Sequence, residues 1–333
     1  MSQVPMIDLT PYRCGGDREK ASVAQAVDKA CREIGFLVVA GHSVASALIA
    51  DTERVSHAFF DLPLEEKMKV ARPAPDVLRG YVPVSAESLS RSMGIKAAGD
   101  LNESLMIGEP NVPDEPYYRG KAAGHHFAPN LWPERPAELR TVWTAYFREM
   151  ERLATEIMRV FALALDVPES YFDDKVDRHI SRVRVRCYPP VPGGAGAGLS
   201  RAGPHTDYGS LTILKPQEHA AGLQVYGKDG VWVDVPDVPG CFVINIGDLM
   251  ARWTNDRWVS TLHRVVVPDT AEARERRRLS VVFFHNPNYD AAVECIPSCH
   301  DERTPAKYAL TAAGDYLKGK FIAAQTDSGA YAG

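Results

Sequence analysis

The sequence has no long apolar run. No stretch approaches the ~18 consecutive apolar residues of a membrane helix, so a spanning segment is not expected. It also lacks a dense basic block. Net charge is −5, and the one locally basic stretch, Arg274 to Arg278, is interrupted by Glu275 and reads as a solvated turn leading into a strand. A nucleic-acid surface is therefore not expected. Cysteine is scarce, with 6 in 333 residues, and positions 14, 31, 187, 241, 295 and 299 show no disulfide rhythm. They read as free thiols in a reducing cytoplasm. Cys295, Cys299 and His300 lie close together, but no second cluster completes a zinc site. The start, Met1 to Asp8, carries no charged leader before an apolar run, so a secretory signal is not expected. The glycine-rich stretch Gly193 to Gly198 reads as a flexible loop. It lacks the Gly-Lys-Ser ending of a phosphate loop, and no repeat of fixed period is visible.

What is present is an ordinary globular composition, 45% hydrophobic and 24% charged, on a chain long enough to bury a large core. The first part mixes helix and strand. A helix capped by Asp17 carries Val23, Val27, Ala30, Cys31 and Ile34 at helical spacing. A short strand, Phe36 to Ala40, follows, then a helix from Val44 to Phe60 and a shorter one opened by Pro63. After Pro136, the positions Leu139, Trp143, Tyr146, Met150, Leu153, Ile157 and Phe161 keep a 3.6-residue period, which predicts a long scaffold helix. Beyond residue 178 the period changes to two. Strands are expected at 181–188, 210–214, 222–226, 231–235, 242–246, 261–267 and 279–284, close enough together for an antiparallel sandwich or barrel. The expected divisions are 1–110, an α/β N-terminal region; 111–177, a scaffold-helix region; 178–290, the β core; and 291–333, a C-terminal extension.

The residues that carry chemistry are His205, Asp207 and, far downstream, His263. Alternate side chains of an extended segment share a face, so His205 and Asp207 point the same way, and His263 must come from a neighbouring strand. Two imidazoles and a carboxylate on one face of a metal leave the opposite face open, an arrangement suited to non-haem Fe(II). Arg278 and Ser280 follow, a charged fork and a hydroxyl able to hold a carboxylate. The eight other histidines show no comparable pattern.

This constellation resembles the isopenicillin N synthase-like family of Fe(II)- and 2-oxoglutarate-dependent oxygenases. The likeness is carried by His205-x-Asp207, His263 and Arg278-x-Ser280, and by the stretches 203–212, 222–225, 232–236, 245–248 and 253–266. Towards the amino terminus it extends through Pro5 to Leu9 and Gly35 to His42. The resemblance implies a mainly β protein: a double-stranded β-helix (jelly-roll) core with flanking helices. It implies Fe(II) on His205, Asp207 and His263, which serve as the catalytic centre. It implies 2-oxoglutarate on Arg278 and Ser280, with Tyr188 donating to the same carboxylate, and O2 as the oxidant. Relatives often have Asn two residues before that tyrosine; here Arg186 stands there. Halogenating relatives lack the carboxylate that Asp207 supplies. Its presence favours hydroxylation, desaturation or cyclisation at an unactivated C–H bond, with succinate and CO2 as co-products.

The expected substrate is a small organic metabolite. Arg79, Tyr81, Ser104 and Met106 stand on segments that resemble pocket-lining ones, and Phe284 and Asn286 follow the Arg-x-Ser strand. Arg79 would meet a polar or acidic substrate group or else form a salt bridge between segments. Asn245 and Asp248 are expected to support the barrel. Three alternatives remain open at this point. One is an oxidase of the same fold that uses O2 without 2-oxoglutarate, since that branch keeps the same motif. Another is a jelly-roll binding protein without activity. The third is a zinc hydrolase, against which the absence of a His-Glu-x-x-His helix counts. The sequence leaves the oligomeric state open.

Overall fold

The computed structural model describes residues 3–74, 76–90, 99–191, 200–218, 222–268 and 270–326. The Gly193 to Gly198 loop and His219 lie outside the described residues. Twelve strands build two facing sheets. They are β1 (Met6–Asp8), β2 (Phe36–Ala40), β3 (Gly80–Val82), β4 (Glu103–Ile107), β5 (Arg182–Tyr188), β6 (Ser200–His205), β7 (Leu211–Pro216), β8 (Leu223–Tyr226), β9 (Trp232–Asp234), β10 (Phe242–Ile246), β11 (His263–Val266) and β12 (Arg278–His285). The large sheet runs β1-β2-β10-β7-β12-β5-β4-β3 and the small one β6-β11-β8-β9. Every pairing in these sheets is antiparallel except β1 with β2. Strands of the N-terminal region are thus continuous with those of the core. This is a jelly-roll core, open rather than a closed barrel.

Alternation along each strand of the large sheet gives it two unlike faces. Leu105, Val183, Val185, Ile213, Ile244 and Phe283 face the helices. Three helices pack there: α1 (Asp17–Glu33), α2 (Ser46–Phe60) and α3 (Leu139–Ala164). The apolar period of α3 puts Trp143, Phe147, Met150 and Leu153 wholly inside. The buried indole N–H of Trp143 donates to Ser56 Oγ of α2 at 3.1 Å, so the ring fills volume and leaves no orphan donor. The opposite face of the large sheet looks towards the small sheet. Phe36, Val38, Tyr188 and Val243 pack there against Ala202, Leu223, Val225 and Val265.

The expected strands appear with ends moved by a residue or a few, and the three expected helices and the short one at Leu64–Met68 are present. Three expectations are corrected. Gly16, not Asp17, precedes the first turn of α1, and its N–H donates to the Glu19 carboxylate at 3.0 Å. The metal-motif strand β6 ends at His205, so Thr206 and Asp207 lie just beyond it. The C-terminal stretch contains a further helix, α4 (Ala313–Thr326).

Replacing Trp143 with Ala should destabilise the protein by about 3–5 kcal/mol, because it opens a cavity at the α2–α3 contact and removes the partner of Ser56. Urea unfolding of the variant checks this. A loss under about 1 kcal/mol would mean that the helical layer is not held together there.

Candidate active site

His263 on β11 and His205 on β6 stand directly opposite each other in the small sheet, with ring centroids 4.2 Å apart. Each ring turns one nitrogen to the backbone. His205 Nδ1 meets Gly203 O at 2.8 Å and His263 Nδ1 meets Thr261 O at 3.0 Å. A carbonyl only accepts, so both Nδ1 atoms carry a proton, and in a neutral ring this leaves the Nε2 lone pair for a metal. Those two Nε2 atoms each lie 3.9 Å from Asp207 Oδ1, and all three ligand atoms fall within 4.8 Å of one another. The other Asp207 oxygen is held from behind by Thr212 Oγ1 at 2.5 Å and Asn245 Nδ2 at 2.8 Å. One carboxylate oxygen is thereby anchored and the other is free for a metal. The turn carrying Asp207 is clamped in turn. Asp248 N–H donates to Asp207 O at 2.7 Å, and Gly247 packs so tightly on this turn that an added Cβ would come 2.1 Å from Gly209 O.

The electrostatics suit a cation. Burial and the facing His263 push the His205 pKa down to about 3. Burial alone would raise Asp207, but His263, His205 and the bonds from Thr212 and Asn245 outweigh it and hold the carboxyl below its usual range. A neutral imidazole and an ionised carboxylate are the forms that bind a divalent metal.

Along β12, Arg278 and Ser280 share the inward face, and Arg278 pairs in register with Tyr188 of β5. Arg278 is 2% exposed, yet none of its three guanidinium nitrogens has a hydrogen-bond partner among the described residues. It stands 5.2 Å from the Tyr188 ring centroid. Burial lowers its pKa. A five-donor fork held in a dry site without an acceptor is costly and is shaped for a carboxylate. Arg186, opposite Ser280, is steadied by Asn102 Oδ1 at 3.0 Å and adds a second positive charge on the same face.

The structure divides the expected substrate residues. Ser104, Met106 and Phe284 lie on the inward face, in register with Arg186, Arg184 and Arg182 respectively. Ser104 Oγ accepts from Arg184 at 2.7 and 3.0 Å. Tyr81 does not join them. It pairs with Leu105, on the helix-facing side, and its hydroxyl donates to Glu103 Oε2 at 2.6 Å beside Lys67. The sheet alternation thus turns Tyr81 away from the metal site. Arg79 is buried rather than in a surface salt bridge. Its terminal nitrogens donate to the carbonyls of Leu78 and His126 at 2.8 and 2.6 Å, in space left by Gly108. Asn286 is a strand clasp: its amide donates to the carbonyls of Ile180 and Phe284 at 3.4 and 3.3 Å. Asn245 holds a metal-ligand carboxylate directly, a closer role than barrel support. Arg182 and Arg184, not among the expected site residues, also face inward, on a period-two run, Arg182-Val-Arg184-Val-Arg186, that is plain in the sequence.

Three groups that could hold a metal, in one fold with a buried arginine that has no acceptor among the described residues, suit a mononuclear metal enzyme with an acidic co-substrate. Residues 4–135 match the family model described as non-haem dioxygenase in morphine synthesis N-terminal, and 179–287 match that of the 2OG-Fe(II) oxygenase superfamily. The chain is 34% identical over 323 residues to the 2-oxoglutarate-Fe(II) type oxidoreductase hxnY of Emericella nidulans, covering 95% of this chain and 89% of that one. It is 34% identical to homoarginine-6-hydroxylase 2-ODD-233 of Oryza sativa subsp. japonica, covering 96% of each. Among solved structures, a full-length Neurospora crassa protein in complex with alpha-KG superposes with a TM-score of 0.85 at 32% identity, over 96% of each chain. The chain belongs to the 2OG-Fe(II) oxygenase superfamily, in its isopenicillin N synthase-like family. It is an Fe(II)- and 2-oxoglutarate-dependent dioxygenase, and of the alternatives open in the sequence the comparisons support this one.

Two outcomes test the site. Tyr81→Phe should lower stability by about 1–2 kcal/mol, through loss of a bond to the buried Glu103 carboxylate, and leave 2-oxoglutarate affinity unchanged. An affinity change in that variant would return Tyr81 to the active site. The metal-free protein should also lose stability on acidification. His205, and His285 buried in the core with its pKa driven well down by burial, both titrate below their ordinary 6.5 when folded. The unfolded chain therefore takes up these protons first. Stability is whole above pH 6.5 and falls as pH drops below it, by up to about 1.4 kcal/mol per pH unit for each group. Urea midpoints that stay flat from about pH 7.5 to about pH 5 would contradict this.

Proposed function

We propose that His205, Asp207 and His263 hold the Fe(II), and that Arg278, Ser280 and Tyr188 hold the distal carboxylate of 2-oxoglutarate. A small organic molecule would then be oxidised at an unactivated C–H bond by hydroxylation, desaturation or cyclisation. The observation that carries this reading is Arg278: buried, with no hydrogen-bond partner for its guanidinium among the described residues, in a fold that also brings His205, Asp207 and His263 together. Bound iron with 2-oxoglutarate supplies the activation of O2, with succinate and CO2 as co-products.

The chain's own residues have distinct tasks. Thr212 and Asn245 fix which Asp207 oxygen faces the metal. The Gly203 and Thr261 carbonyls fix the tautomer of each imidazole. Arg278 sets the direction of the co-substrate by a two-pronged contact, Ser280 and Tyr188 add hydroxyls on the same face, and Arg186 deepens the positive potential there. Met106, Phe284 and Ser104 border the space left for substrate. Relatives named for homoarginine hydroxylation support a metabolite substrate here. Among the described residues no helix is long and apolar enough to cross a membrane. The six cysteines are all free, which supports a reducing, cytoplasmic setting. The partners of this reading are small molecules, with neither nucleic acid nor membrane among them.

Aerobic incubation with Fe(II) and 2-oxoglutarate should release succinate, and His263→Ala should abolish this and leave the purified protein short of iron. Arg278→Gln should weaken 2-oxoglutarate binding by about thirty-fold or more with iron retained. Arg278→Lys should also weaken it, since an ammonium cannot form the fork contact. Unchanged 2-oxoglutarate affinity in both Arg278 variants would overturn the assignment.

A further inference from the structure

Three arginines of β5, Arg182, Arg184 and Arg186, alternate onto the inward face, and they are not in equivalent states. Arg184 is neutralised. It donates to Glu87 Oε2 and to Ser104, and Glu87 is in turn held down to about 2, against its burial, by Arg184, Arg72 and Arg186. Arg186 has Asn102. Arg182 is 5% exposed, and among the described residues no group accepts a hydrogen bond from its guanidinium; its Nε is buried and orphaned. Burial, with the like charges of Arg79 and Arg72, pushes its pKa down to about 9. Its guanidinium lies over the ring of Phe321 on α4, 5.2 Å from Cζ to the centroid. Nothing in the fold's own stability requires an isolated buried cation, and ordinarily one is lost or paired.

Arg182 also stands in a particular row. Across the large sheet it pairs with Phe284, Phe284 pairs with Thr212, and Thr212 pairs with Asn245. Thr212 and Asn245 are the two residues that hold the Asp207 carboxylate. On the other side, the Phe321 ring that covers Arg182 packs edge-on against Tyr208, the residue after Asp207, at 5.4 Å. Arg182 is therefore flanked on both sides by neighbours of the metal carboxylate. The two strand spacings between β5 and β7 put its backbone about 10 Å from that of Thr212, with Phe284 between them on the same face. Arg278 lies at the far end of β12, six positions from the residue opposite Arg182, so it serves a different carboxylate.

We propose that Arg182 is the substrate anchor and that the substrate of this oxygenase is a small carboxylic acid, whose carboxylate pairs with Arg182 while its reactive carbon lies beside the metal triad. The anchor is not Arg79, whose terminal nitrogens are already bonded to backbone carbonyls. Phe321 closes over the ion pair from α4, and Phe284 flanks the substrate. This rests on the oxygenase reading above and assigns the chemistry that the motif leaves open.

The test uses full-length protein loaded with Mn(II), which binds like iron without turning over, and saturating 2-oxoglutarate. Acetate, phenylacetate and hexanoate are each titrated against the matching primary amide, with binding read by thermal shift and calorimetry. At least one acid should bind, its amide should not, and Arg182→Gln should weaken that acid by about thirty-fold or more. Failure of every acid to outbind its amide, or equal acid affinity in Arg182→Gln, overturns the proposal. Stability gives a second readout. Arg182→Leu should leave the melting temperature of the ligand-free protein unchanged or raised, because it removes an unpaired buried charge, whereas Arg184→Leu, which strands Glu87, should lower it. A fall in Arg182→Leu as large as that in Arg184→Leu would make Arg182 structural. The oxygenase reading fails separately, if wild-type enzyme with iron and O2 makes no succinate from 2-oxoglutarate.

Discussion

The two-residue alternation of the large sheet is the constraint on which everything else depends. Each strand gives every second side chain to the helical layer and the others to the space facing the small sheet. The helical side is filled with Trp143, Phe147, Phe283 and their neighbours, so it fixes the register firmly. Once that register is set, the inward rows are set with it. Asn245 and Thr212 arrive behind Asp207, Arg278 arrives beside Tyr188, and the β5 arginines arrive opposite Ser280, Val282 and Phe284. A slip of one residue would turn the apolar set inward and the arginines into the helical core, which no packing could accommodate. The site is positioned by a hydrophobic pattern that itself touches no reacting atom.

That division explains why so much unbalanced charge is tolerated. An arginine without an acceptor in a dry interior costs several kcal/mol. Among the described residues two, Arg182 and Arg278, find no acceptor, and a carboxylate lies 3.9 Å from each of two imidazoles besides. On the proposed reading these costs fall as ligands arrive, a divalent metal at Asp207 and a dicarboxylate at Arg278. The large apolar face opposite supplies the stability against which these sites are held open.

Much of this was legible in the sequence. His205, Asp207, His263, Arg278 and Ser280 could be picked out because their types and spacing are unusual, and the change from a 3.6 to a 2.0 period marked where the sheets begin. What was not legible is which way a segment faces when too short to show a period. Gly80–Val82 has three residues, and from sequence Tyr81 is as good a pocket residue as Val82. Only pairing with Leu105 decides it. Arg182 was hidden for a different reason. Along β5 all three arginines look alike, and they differ only in partners brought from afar: Glu87 for Arg184, Asn102 for Arg186, and for Arg182 no acceptor among the described residues. Helix α4 was hidden because its apolar face is weakly patterned, and part of what holds it is distant in sequence: Tyr208, Asp248 and Tyr289.

Those contacts of α4 link the end of the chain to the metal motif. Lys320 Nζ donates to Asp248 Oδ2 at 2.7 Å, and the same oxygen accepts from Thr206, the residue between the two motif ligands, at 3.3 Å. One residue on, Phe321 lies against both Tyr208 and Arg182. A helix tied to the 205–208 segment by the ion pair through Asp248, and by an aromatic ring that also reaches Arg182, couples the end of the chain to that segment through residues that have no place in the motif itself. An ion pair and a ring contact at adjacent positions of one helix fix both its rotation and its distance from the turn that carries Asp207, so the turn is held from outside the sheets as well as from within them.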